Sequence, residues 1–192
     1  MIPSSPDQRW LETACGPGLI SRALAPNVGS VHGVDITQAM IDVATREAAD
    51  AGLTNATFSL ADATALPFDD ASYDGTVTRF SLHHIPVPAR CVFEMARTVR
   101  PGGWVVIGDH ITAGEHEAAA WHQEIERLRD PSHWACLTPA QLRQLGSRAG
   151  LELVQERLIP IVLDFDEWLT RGSGGPTMRK LVNRALAERT QG

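Results

Sequence analysis

The 192 residues of this chain predict an α/β fold, a doubly wound, mostly parallel sheet with helices on both faces, and three observations carry that expectation. Strand-like apolar runs alternate with stretches of helical periodicity from end to end, the pattern of a parallel sheet built from crossover units. The first run closes on an acidic residue and passes into Gly16-Pro17-Gly18, a turn whose glycines let backbone approach a nucleotide-type ligand closely. The second run ends in another carboxylate, Asp35, about twenty residues on, where a ribose diol would sit.

Each element follows in order. Trp10 and Leu11 place the first strand at 9–13, ending beside Glu12, and Leu19 to Leu24 begin a helix whose N-terminus faces the turn. Strands are expected at 30–35 and 56–60, with Met40, Ile41, Val43, Ala44 and Ala48 forming a helical stripe between them. Ala61-Asp62-Ala63 closes the third strand, and a fourth is expected at 74–79. Val92, Met95, Ala96 and Val99 mark a helix that Pro101-Gly102-Gly103 stops, ahead of a fifth strand at 103–110. Trp121, Ile125 and Leu128 recur at helical spacing, and Thr138-Pro139 begins another helix that holds Leu142, Leu145 and Ala149 and ends at Gly150. A sixth strand is expected at 151–159. Met178, Leu181, Val182, Ala185 and Leu186 share one face of a last helix, reached through a flexible-looking Gly172-Ser173-Gly174-Gly175 link.

Composition bounds the rest. At this length, with 43% hydrophobic residues, a single domain over 1–192 is expected, with a cofactor-binding core at 9–112 and acceptor-side elements at 113–192. A formal charge of −6 argues against nucleic-acid phosphate as partner. Cys15, Cys91 and Cys136 are odd in number and widely spaced, so neither a disulfide framework nor a metal site is expected and a reducing cytoplasm fits best. No apolar run reaches the length of a membrane span, and no signal peptide is recognisable at the start.

The glycine turn alone leaves the ligand open between a dinucleotide and something else. In Gly16-Pro17-Gly18-Leu19-Ile20-Ser21 the third small residue of the pyrophosphate fingerprint is only loosely met. Glu12, two places before Ala14, would oppose a pyrophosphate but suits a ligand carrying an ammonium and a sulfonium. S-adenosylmethionine is that ligand.

Five segments in order now resemble the class I S-adenosylmethionine-dependent methyltransferases, on the branch of the ubiquinone and menaquinone C-methyltransferases. They are Leu11 to Gly18, Val31 to Met40, Ala61-Asp62-Ala63 with Leu66-Pro67-Phe68, Tyr73 to His84, and Val99 to Gly103. The resemblance implies the Rossmann-like methyltransferase fold, here shortened at both ends. It also implies that Glu12, Ala14, Gly16 and Gly18 face the methionine part of the cofactor and that Asp35 accepts from the ribose hydroxyls. Ile36 and Met40 would border the adenine, Asp62 with Ala63 beside it would take the exocyclic amine, and Arg79 and Phe80 would border the methionine carboxylate and the methyl. Asp35 and Asp62 taken singly also look like ordinary helix caps. The family usually carries Asp and Gly where this chain has Glu12 and Ala14.

The implied activity is methyl transfer to a small-molecule acceptor, at carbon, oxygen or nitrogen, leaving S-adenosylhomocysteine. The alternative is a protein that keeps the fold without transferring methyl, as a cyclase, isomerase or cofactor-binding partner. Displacement at a sulfonium-activated carbon needs chiefly alignment, and a base only where the acceptor must lose a proton. His84, His110 and His133 are the expected bases, with His83 next to the first and Asp109 next to the second. No metal is expected. A homodimer through the last strand or the Met178 to Leu186 helix would cover an open sheet edge.

Overall fold

A computed structural model describes residues 4–162, 164–170 and 175–190. Five parallel strands form one sheet: β1 (Arg9–Thr13), β2 (Ser30–Asp35), β3 (Ala56–Leu60), β4 (Tyr73–Arg79) and β5 (Val99–Gly108), in the order β3-β2-β1-β4-β5. The helices are α1 (Leu19–Leu24), α2 (Gln38–Asp50), α3 (Pro88–Thr98), α4 (His116–Arg129), α5 (Pro139–Arg148), α6 (Phe165–Thr170) and α7 (Gly175–Thr190). Strand order reverses between β1 and β4, so the crevice beyond their carboxyl ends is where such a sheet takes a ligand. Most of Gly172 to Gly175 lies outside the described residues.

Alternation along β5 accounts for helices on both faces. Trp104 and Val106 pack with Trp10, Leu24 and Val31 on one side, whereas Val105 and Ile107 pack with Val92 and Met95 of α3 and Leu142 and Leu145 of α5 on the other. Central β1 buries Trp10 and Leu11 completely. At Gly75, opposite Trp10 in the ladder, a Cβ would lie 2.6 Å from the indole, so only glycine lets the two strands close over that ring. Asp74 accepts from Arg9 N–H (2.7 Å) and Arg100 Nε–H (2.5 Å), which ties the start of β4 to the starts of β1 and β5 and gives that carboxylate a structural task.

Two features depart from the expectation. β5 begins at Val99, not 103, because Val99 pairs with Tyr73 before a register shift absorbs Pro101 and Gly102. No strand forms at 151–159. That segment carries strand-forming apolar residues, but a ladder needs a neighbour and none of the described residues supplies one, so Leu153, Val154, Leu158 and Ile159 remain exposed. The apolar stripe of α7 is partly covered, with Leu181 40% exposed. Val182 is fully buried, packed with Ile125 of α4 and Leu169 of α6. None of the helices is long and apolar enough to cross a membrane among the described residues.

Candidate functional site

The loop after β1 is built on left-handed backbone. Ala14 (φ 50°), Gly16 (φ 50°) and Gly18 (φ 74°) all lie there, which glycine adopts freely and alanine only under strain. A Cβ on Gly18 would sit 2.8 Å from the Phe58 ring, so this glycine lets α1 pack on the sheet; at Gly16 nothing lies within 4 Å and the backbone faces open space. Beneath the turn, Glu12 is buried and its Oε2 accepts from Ser21 N–H (2.7 Å) and Ser21 Oγ–H (2.6 Å), tying β1 to α1. Burial pushes its carboxyl up to about 7, against the opposing effect of those hydrogen bonds and of Arg79.

Asp35 closes β2 and reaches across to the same loop. Its Oδ2 accepts from Gly16 N–H (2.8 Å) and its Oδ1 from Thr37 N–H (2.9 Å), so one carboxylate sets both the glycine turn and the entry to α2. Ile36 and Met40, at that entry, leave apolar side chains exposed. Asp62 Oδ1 accepts from Thr64 N–H and Oγ–H, both at 2.8 Å, and Ala63 beside it is buried. At the end of β4, Arg79 stacks over Phe80 with 4.0 Å to the ring centroid, and Phe80 is left-handed at φ 52°. Arg79 makes no ion pair among the described residues.

Beyond β4 and β5 four histidines gather. His83 Nδ1–H donates to Asp109 Oδ1 at 2.5 Å, its backbone N–H donates to Oδ2 (3.1 Å), and His110 N–H donates to Oδ1 (2.7 Å). The His110 ring lies parallel to that of His83, 5.2 Å between centroids, and against Phe80 at 4.4 Å. His84 and His133 lie 4.1 and 5.6 Å from His83. A strap from Asp130 to Leu137 covers the group: Trp134 and Ala135 N–H both donate to the His83 carbonyl (2.7 and 3.1 Å). Gln123 of α4 anchors the strap, since its Oε1 accepts from Cys136 N–H and from His133 Nε2–H, each at 2.8 Å.

These contacts separate the histidines. Burial, then the charge that His83 carries when protonated, holds His84 and His110 below the ordinary imidazole value and His133 at about 4. His84 is engaged by Ser132 Oγ at 3.0 Å, His133 is held by Gln123, and His110 has no hydrogen bond on its ring among the described residues. Of the three expected bases, His110 alone lines the cleft. The aspartate-oriented member is His83, of the adjacent pair from which the sequence reading chose His84; its signal was Asp109 at the end of the adjacent strand.

The cleft next to this group measures about 250 Å³. Asp109, His110 and Ile111 form one side, beyond β5. His122 and Glu126 of α4, Trp168 of α6 and the side chains of Ile159 and Ile161 form the others. Glu126 accepts from Arg129 Nε–H and Nη2–H (2.9 and 2.7 Å) and from Trp168 Nε1–H (3.1 Å). Burial would raise its carboxyl, but His122, Arg129 and Trp168 outweigh burial and hold it at about 2.

Comparison with known proteins agrees with this geometry. The family model for a methyltransferase domain matches residues 11–107. An uncharacterized methyltransferase of Bacillus subtilis, YcgJ, is 31% identical over 176 residues, 91% of this chain and 68% of that protein. Its crystal structure superposes with a TM-score of 0.88 at 28% identity, over 96% of this chain and 79% of that one. A demethylmenaquinone methyltransferase of Clavibacter sepedonicus is 37% identical over 105 residues, 55% of this chain and 42% of that protein. The fold is shared with the [4+2]-cyclase SpnF at a TM-score of 0.67 and 24% identity, over 79% of this chain and 53% of that one. With a family match that spans half of its length and the strand order, glycine turn and strand-end carboxylates in place, the chain belongs to the class I S-adenosylmethionine-dependent methyltransferases.

Proposed function

We propose that this protein binds S-adenosylmethionine at the β1 and β2 ends and methylates a small-molecule acceptor held in the cleft beyond β5. The observation that carries this reading is Glu12: a carboxylate that burial raises to about 7 and that a further positive charge would hold ionised, beneath a turn whose Gly16 faces open space. A sulfonium and ammonium ligand supplies that positive charge, whereas the pyrophosphate of a dinucleotide adds a second negative one. The residues present therefore fit this cofactor. Ala14, Gly16 and Gly18 would line its methionine part, Asp35 its ribose, Ile36 and Met40 its adenine. Asp62, with Ala63 beside it, retains Oδ2 for the exocyclic amine. Arg79 would take its carboxylate, with Phe80 at the methyl.

Bound there, the cofactor supplies an electrophilic methyl group on sulfur. The chain's own residues then align the acceptor and, for a hydroxyl acceptor, remove a proton. His83 is suited to that task because Asp109 orients its Nδ1–H and stabilises the imidazolium, leaving Nε2 without a partner among the described residues. His110, its ring parallel to that of His83 with 5.2 Å between centroids, lines the cleft itself. His84 and His133, each engaged elsewhere, hold the strap in place.

Calorimetric titration tests the assignment. S-adenosylhomocysteine is expected to bind with a micromolar Kd, about −8 kcal/mol, and NAD not to bind; the reverse preference overturns the cofactor reading. Asp109→Asn is expected to lower turnover at least about tenfold while leaving cofactor affinity unchanged. Ala14 supports a second reading, a cofactor-binding protein that transfers no methyl, because its side chain occupies a strained position in the turn. Tight cofactor binding without S-adenosylhomocysteine release from any acceptor would favour it. The three free, buried cysteines suit a reducing cytoplasm, and the exposed 151–162 segment suits self-association as a homodimer.

A further inference from the structure

We infer that Phe80 is a positioning residue shared by the two halves of the site: its ring joins Arg79 on the cofactor side to His110 on the acceptor side, so a carboxylate that engages Arg79 also sets the wall of the cleft. This inference rests on the reading that Arg79 takes the carboxylate of the cofactor. Arg79 closes the β4 ladder opposite Gly108, and the chain leaves the sheet at the next residue. Phe80 makes that turn in left-handed backbone, at φ 52°, where a residue with a Cβ is strained, and its N–H donates to the Gly108 carbonyl (2.8 Å). The bond pins the strained residue between the ends of β4 and β5. Its ring meets the Arg79 guanidinium, 4.0 Å from the ring centroid, and the His110 ring, 4.4 Å between centroids at 56°. Arg79 is near enough to the end of β1 to oppose the rise of the Glu12 carboxyl, whereas His110 lines the cleft beyond β5. One aromatic side chain therefore touches both places.

Neither end of this stack is fastened by anything stronger. Arg79 is exposed and makes no ion pair, and the His110 ring makes no hydrogen bond, among the described residues. A guanidinium over an exposed ring is held weakly; a carboxylate that takes its edge through two charge-assisted hydrogen bonds holds it more firmly. The carboxylate therefore decides where Arg79 lies, and Phe80 packs to suit. The His110 ring follows, because only its backbone N–H is tied, to Asp109. His83, parallel to it at 5.2 Å, stays in place, since Asp109 accepts from both its Nδ1–H and its backbone N–H. The site thus sets an imidazole that responds to the cofactor beside one that does not. Coupling of this kind is reciprocal: whatever fixes His110 also alters the grip on a ligand that carries the carboxylate, and leaves a ligand without it untouched.

S-adenosylhomocysteine and 5′-methylthioadenosine test this, because the second carries adenine, ribose and sulfur without the amino-acid part. Each is titrated into the purified protein by calorimetry and followed by the imidazole carbon–proton NMR signal of His110, identified by its loss in His110→Gln. S-adenosylhomocysteine is expected to displace that signal, and 5′-methylthioadenosine at saturation to leave it in place. Phe80→Leu should abolish the displacement and weaken S-adenosylhomocysteine about fivefold, with 5′-methylthioadenosine affinity unchanged. Arg79→Gln, at an exposed position that does not burden folding, should abolish the displacement while 5′-methylthioadenosine still binds. Equal displacement by the two ligands, displacement by neither, a displacement that persists in Arg79→Gln, or an unaltered response in Phe80→Leu overturns the inference. Binding of 5′-methylthioadenosine without S-adenosylhomocysteine overturns it as well and leaves the adenosine site standing; binding of neither overturns the cofactor assignment and the inference with it.

Discussion

Replacing Glu12 by Gln removes a titration that the fold makes expensive. The carboxyl is raised from 4.5 to about 7, chiefly by burial, so the native state holds its proton over a pH range in which the unfolded chain has released it. The stability attached to that proton is full below about pH 4.5 and is lost as pH rises through 7; at about 1.36 kcal/mol per pH unit the loss is about 3 kcal/mol. A glutamine amide keeps an oxygen for both Ser21 donors and mimics the protonated acid. Glu12→Gln without ligand is therefore expected to match the unmodified protein near pH 5 and to exceed it by about 3 kcal/mol at pH 8.5. That corresponds to roughly 6–12 °C in Tm for a chain of this size. Denaturant titrations at several pH values measure the difference directly. Parallel pH profiles for the two proteins would refute the argument, because they would mean that Glu12 does not titrate in the native state between these limits. As a second readout, the preference for S-adenosylmethionine over S-adenosylhomocysteine should grow through pH 7 in the unmodified protein and stay flat in the variant.

Three more outcomes follow from local geometry. Gly18→Ala places a methyl 2.8 Å from Phe58 and 3.0 Å from Ala44 at φ 74°, and is expected to cost about 2–4 kcal/mol in urea denaturation. Ala14→Gly relieves a left-handed alanine at φ 50° and should gain about 0.5–1 kcal/mol, with cofactor affinity rising rather than falling. Glu126→Gln leaves Arg129 buried without its carboxylate and should cost about 3 kcal/mol, whereas replacing the exposed Glu188 partner of Arg184 should be nearly silent.

Central strands were readable because their signals are local. Apolar runs closed by Glu12, Asp35 and Ala61-Asp62-Ala63 mark strand ends at the crevice, and the observed β1, β2 and β3 have the expected bounds. The apolar and β-branched residues at 151–159 report a segment able to form a strand; they carry no information about whether a ladder partner exists. Pro101 and Gly102 read as a stop because a β-bulge that accommodates both leaves no trace in the pattern. The same division holds at the site. Glycines and carboxylates at strand ends were legible one by one, but the His83–Asp109 pair spans 26 positions and exists only because β4 lies beside β5. The Glu126–Arg129–Trp168 group joins helices 42 positions apart with no periodic signal at all.

The strap over the histidines has a kinetic meaning. Trp134 and Ala135 both hang from the carbonyl of His83, whose side chain is in turn fastened to Asp109. Any excursion that lifts the strap must break two main-chain hydrogen bonds to the very residue whose nitrogen has to stay in position. Traffic through that side would disarm the site at each passage. The 159–161 side carries no such fastening among the described residues, with its isoleucines open to water, so under the proposed function an acceptor entering there leaves both of those hydrogen bonds intact.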